Sequence, residues 1–213
     1  GAGWGSLLQV AASVGATTDI ITFAPTAGGD GDGVKFQDFQ IAPISGTPGR
    51  YGIRFDGATT GFQHGVVDHV WIRQLGSAAI RSDGSGGAQG IPVVTTIEKS
   101  KLEGGISMPN AGDTVRILNN QITGDGPALD ISFQPGASTL LVKGNNITSN
   151  GGIHIGTAAV GNIFEDNEIE TFPAFTGSNG ALIDIDGSAG SRAADITIRG
   201  GSIQVVNGIT ANG

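Results

Sequence analysis

Asp130, His154, Asp184 and Asp186 are the residues of this sequence best placed to do chemistry together. The first three each stand between apolar residues, in "LDI" at 129–131, "IHI" at 153–155 and "IDI" at 183–185, and Asp186 follows two positions on. Two carboxyls about 5–9 Å apart can hydrolyse a glycosidic bond, one as acid and the other as base or nucleophile. Close carboxylates push one pKa upward, and a histidine beside them can tune either. Such a site forms only if segments 24 and 30 residues apart in the chain lie on neighbouring strands.

An internal repeat supplies those strands. One family of segments reads "FQI" at 39–41, "VWI" at 70–72, "SKL" at 100–102, "NQI" at 120–122, "NNI" at 145–147, "NEI" at 167–169 and "GSI" at 201–203. A second follows each of them, anchored on Ile53, Ile80, Ile106, Leu129, Ile153, Ile183 and Ile209, with spacings of 27, 26, 23, 24, 30 and 26 residues. A third apolar strand precedes the first, as in "TVRIL" at 114–118 and "TLLVK" at 139–143. Three short strands per turn predict an all-β fold, a right-handed, single-stranded parallel β-helix of about seven coils. Leucine-rich repeats would show a Leu/Asn consensus that is missing, and a β-sandwich would not keep this order seven times.

Alternation then turns the alignment into outward columns. One runs Arg54, Arg81, Ser107, Asp130, His154, Asp184, and a second, two residues on, runs Asp56, Asp83, Pro109, Ser132, Gly156, Asp186. The alternative to catalysis is a mixed polar ladder on a solvated sheet. Arg54 and Arg81 could hold an acidic sugar carboxylate or pair with Asp56 and Asp83. On the first-family face, Glu168 and Glu170 look outward, with Glu103 expected two coils away and Lys101 on its strand. Trp71 offers an exposed indole for a sugar ring or a subunit interface. Departures from the mean coil at 42–50, 83–92 and 171–180 are candidate groove walls, the last carrying Phe172 and Phe175. Asn120, Asn145 and Asn167, each two residues before an aligned isoleucine, are expected to stack as a ladder at a bend in the αL conformation.

The ends read differently. Residues 6–16, "SLLQVAASVGA", fit a short amphipathic helix with Ser6 and Gln9 as capping box and Leu7, Val10, Ala11 and Val14 on one face. With the strand "DIITFAP" at 19–25 it makes an N-terminal unit, 1–25, capping the β-helix of 26–213. The chain stops inside a coil at "NGITANG", as a fragment of a longer protein would.

Composition excludes several classes. Among 213 residues are 38 glycines without a collagen period and no cysteine, so disulfides and thiolate metal sites are ruled out. A net charge of −8 argues against nucleic acid and anionic membranes as partners, and no apolar run approaches a membrane span. The histidines, His64, His69 and His154, are not at ligand spacing, so no metal and no cofactor is expected, though a calcium between Asp184 and Asp186 stays conceivable.

The helix, "DIITFAP" and the repeated "NNIT…GGIHI" coils together resemble the pectate-lyase-like (pectin lyase-like) superfamily of lyases, glycoside hydrolases, epimerases and bacteriophage tailspikes. "YGIRFDG" at 51–57 begins like an epimerase motif but lacks its Pro-His, and "GGDGDG" at 28–33 only faintly echoes a calcium-binding nonapeptide. The tailspike branch fits best. It implies a homotrimer on a virion tail that recognises, and in some cases depolymerises, capsular or O-antigen polysaccharide of bacteria. A secreted lyase or epimerase and a non-enzymatic cell-surface adhesin or spacer are the alternatives.

Overall fold

The computed structural model describes residues 5–24, 33–56, 64–83, 94–133, 139–157, 161–171, 181–185 and 195–205. Its strands fall into three columns. The first holds β1 (Ser6–Val10), the C-terminal halves of β3 (Val34–Pro43) and β5 (His64–Ile72), then β8 (Lys101–Glu103), β11 (Gln121–Gly124), β14 (Asn146–Ser149), β17 (Glu168–Thr171) and β20 (Ser202–Val205). The second holds β2 (Ile21–Phe23), β4 (Ile53–Asp56), β6 (Ile80–Asp83), β9 (Ile106–Ala111), β12 (Leu129–Phe133), β15 (Ile153–Thr157) and β18 (Ile183–Ile185). The third begins with the N-terminal halves of β3 and β5. It continues through β7 (Val94–Glu98), β10 (Thr114–Leu118), β13 (Thr139–Lys143), β16 (Gly161–Glu165) and β19 (Ile196–Arg199).

Because β3 and β5 run through two columns, the first and third form one 13-stranded sheet, and the second forms a 7-stranded sheet. Every pairing is parallel, and all but the two made by β12 keep one register throughout, the arrangement of a parallel β-helix. Period-2 alternation puts one isoleucine row of each strand inside. Ile53, Ile80, Ile106, Leu129 and Ile153 stack in one row, Ile72, Leu102, Ile122, Ile147 and Ile169 in another, all buried. Neither row could be buried by its own coil, so stacking at about 4.8 Å creates the core.

The first column begins with a strand where the sequence suggested a helix. Ser6–Val10 pairs with Phe39–Pro43, and no helix occurs among the described residues. The run "SLLQV" suits either period. The open edge of β3 decides, because it offers five residues of in-register backbone partners, whereas a lone helix of this length is marginal. The expected capping helix is therefore replaced by an added rung, and "DIITFAP" supplies β2 of the second column.

The asparagine ladder is present. Asn145 Nδ2 donates to Asn167 Oδ1 at 2.9 Å, and Asn120 Nδ2 donates to Asn145 Oδ1 at 3.0 Å. Each amide also reaches the backbone carbonyl of the coil before it, Ile97, Ile117 and Val142 in turn. Ser100 extends the row, accepting from the Val70 N–H and donating to Glu98 O. The αL residues, however, lie one position earlier: Asp38, His69, Lys99, Asn119 and Asp166 have φ of 49–57°, with Gly144 and Gly200 at the equivalent rungs. The residue before the asparagine turns the corner, which leaves the asparagine side chain pointing inward to bond across it.

Candidate functional site

The outward column of the second sheet is continuous in register: Thr22, Arg54, Arg81, Ser107, Asp130, His154, Asp184. From Arg54 to Asp184 its side chains are half-buried, and those from Arg54 to His154 are linked. Arg54 donates through Nε to Asp83 (2.9 Å) and through Nη1 to Asp19 (3.0 Å), and its Nη2 lies 3.3 Å from Asp56. Arg81 bonds the other oxygen of Asp83 and donates to Ser107 Oγ at 2.7 Å. Ser107 Oγ lies 3.5 Å from Asp130 Oδ2, and His154 Nδ1 lies 3.0 Å from Asp130 Oδ1. The arginines thus pair with aspartates, one of the two roles expected for them. Asp130 and Asp184 stand two strand spacings apart, about 10 Å between backbones.

The second outward column is broken, contrary to expectation. Asp56 and Asp83 are in register, but Ser132 pairs with Thr157 instead of Gly156, and Phe133 pairs with Ala111. Pro109 has no N–H to continue the ladder, so β9 carries an extra residue there. Asp186, Phe172 and Phe175 lie outside the described residues, as do 84–92 and 172–180 of the two later insertions.

A groove of about 620 Å³ runs beside this column. Arg81, Ser107 and Asp130 form its floor. The turns at 74–78, 103–104 and 123–127 form one wall, and Thr47 and Tyr51 stand at one end. Backbone bonds between coils set that wall rung on rung, Ser77 N to Arg50 O, Gly104 N to Thr123 O and Gly151 N to Gly126 O. Gly104, at φ 124°, lets its turn pass against the Ser77 carbonyl where a side chain would collide. Tyr51 is held by Arg50 at 4.7 Å and Arg81 at 5.6 Å from its ring centre.

Glu103, expected to partner the Glu168–Glu170 face, belongs to this groove instead. It accepts from Trp71 Nε1 at 3.1 Å and from the Gln74 N–H at 3.3 Å, with Lys101 Nζ at 3.7 Å. Trp71 therefore braces Glu103 from outside the groove, flanked by Lys101 and Arg73. Glu170 shares a column with Glu103, but β11 and β14 intervene, three strand spacings rather than two, about 14 Å. That is too far for a hydrolytic pair. Glu168 accepts from Asn146 on the exposed sheet face. Tyr51, Gln74 and Asp125 were not singled out in the sequence, although Asp125 lies in the turn that leads into Asp130's strand. No group of three metal-ligating side chains is found among the described residues.

At the N-terminal end, Asp19 anchors the column. Arg50 donates to both its oxygens at 2.8 Å and Arg54 to one. The hydrogen bonds from Arg50 hold its carboxyl below the usual range, against burial and with help from Arg54. A carboxyl depressed in the folded state contributes stability above its unfolded value, near 3.9, and loses it as pH falls through the lower folded value. Asp19→Asn should cost about 2 kcal/mol at neutral pH. Melting temperatures of the two proteins should converge below about pH 4, as measured by thermal scans across pH.

These features define an all-β protein of parallel stacked strands, with a groove beside its second sheet lined by Glu103, Asp125, Asp130 and Arg81. Comparison with protein-family models, curated proteins and solved structures returns no match.

Proposed function

We propose that this chain is a right-handed, pectate-lyase-like β-helix of the tailspike type that binds a bacterial surface polysaccharide, capsular or O-antigen, along the Arg81–Ser107–Asp130 groove. The observation that carries the reading is the groove itself. It has the volume of a ligand site, a floor of hydrogen-bonding side chains fixed by strand register, and a wall of backbone bonded from coil to coil. Such a floor is pre-organised, so a glycan ordered on it spends little on ordering the protein. The resemblance adds a homotrimer and a virion-tail location. Asp130 is the candidate catalytic carboxylate, with Glu103 or Asp125 across the groove, and His154 orients Asp130 through the 3.0 Å contact.

The test is incubation with capsule and lipopolysaccharide preparations, following both retention and glycan chain length. Binding with shortening identifies a depolymerase, and Asp130→Asn should then lower kcat about 100-fold or more. Binding with chain length unchanged identifies an adhesin. Absorbance of an unsaturated product would mark a lyase, and absence of binding to every glycan would overturn the proposal.

A further inference from the structure

We infer that the groove selects polysaccharide segments without carboxylates, a neutral glycan rather than a uronate polymer; this rests on the glycan-binding reading. Three carboxylates line the groove, Glu103, Asp125 and Asp130, against one cationic side chain among the described residues, Arg81. Arg81 is already committed to Asp83 and Ser107. Arg54, one rung away, places all three guanidinium nitrogens on Asp83, Asp19 and Asp56. Lys101 lies near Glu103, which leaves Asp125 and Asp130 with no lysine or arginine partner among the described residues. A uronate carboxylate entering this space meets like charge and finds no uncommitted cation to replace its hydration. Sugar hydroxyls suit it, because ionised carboxylates only accept hydrogen bonds and hydroxyls supply the donors.

The experiment compares size-matched neutral and uronate-containing oligosaccharides, prepared from bacterial surface polysaccharides, binding to the full chain at low and high salt. At least one neutral class should bind about tenfold or more tighter than any uronate, with the gap narrowing at high salt. Asp125→Asn, at an exposed turn position, should narrow it at low salt without changing the melting temperature. Tighter binding of uronates than of neutral sugars would overturn the inference while leaving the glycan-binding reading in place. Failure to bind any glycan would remove that reading, and the inference with it. An unchanged gap in Asp125→Asn and Asp130→Asn alike would also overturn it, because selectivity would then not come from these carboxylates.

Discussion

Asn145→Ala is expected to destabilise the protein by about 4 kcal/mol, more than truncation of most single side chains. The amide both accepts and donates inside a site that water does not reach. Its oxygen accepts from both the N–H and the side-chain amide of Asn120, and its nitrogen donates to the carbonyls of Ile117 and Lys143 and to Asn167. Alanine leaves the buried Asn120 N–H without its acceptor and takes one of two acceptors from the Asn120 side-chain amide, and each buried group so deprived costs about 1–3 kcal/mol. Against a typical total of about 5–15 kcal/mol, that is a large fraction. Serine should recover about half the loss, because Ser100 at the equivalent rung still accepts from the Val70 N–H. Denaturant midpoints of the three proteins, with amide exchange at Asn120, measure the effect. A cost below about 1 kcal/mol would show that the row merely fills space.

Two glycines on adjacent coils should give opposite results. Gly126 lines the groove, is exposed, and a side chain added there meets nothing within 4 Å. Gly126→Trp should therefore fold normally, since its carbonyl can still accept from Gly151 and Ser149. The indole would occupy the groove and weaken glycan binding by about 100-fold or more, roughly 3 kcal/mol. Gly151 is buried, and a side chain there would run into the backbone of Pro127 and Gly126. Gly151→Ala should cost about 2–3 kcal/mol, as overpacking does, with little direct effect on binding by the folded fraction. Calorimetric melting and glycan titration on both variants separate the outcomes. Undiminished binding by a stably folded Gly126→Trp would remove the groove from consideration.

Much of this was legible beforehand. Ile53, Ile80, Ile106, Leu129, Ile153 and Ile183 announce their register because one face of every strand must be apolar and a slip of one residue would expose the whole row. The same logic placed Arg54, Arg81, Asp130, His154 and Asp184 in one outward column. Alternation failed where local chemistry overrode it. Extra residues at Pro109 in β9 and at Gly156 in β15 broke the second column, and the ladder asparagines left the αL bend to their predecessors. Residues 6–10 failed for another reason, since five residues fit a helix face and a strand face equally until a partner edge is known.

The parallel stacked strands, the core rows and the first outward column can all be read along the chain, because they depend on side-chain alternation and on a repeat that counts residues. That β1 is a strand, and that Tyr51, Glu103, Asp125 and Asp130 border one groove, follows from the fold alone. Those residues come from different coils and different turns. Their meeting depends on how each irregular turn crosses the edge of the sheet, a path set by backbone bonds between coils and not by any spacing in the chain.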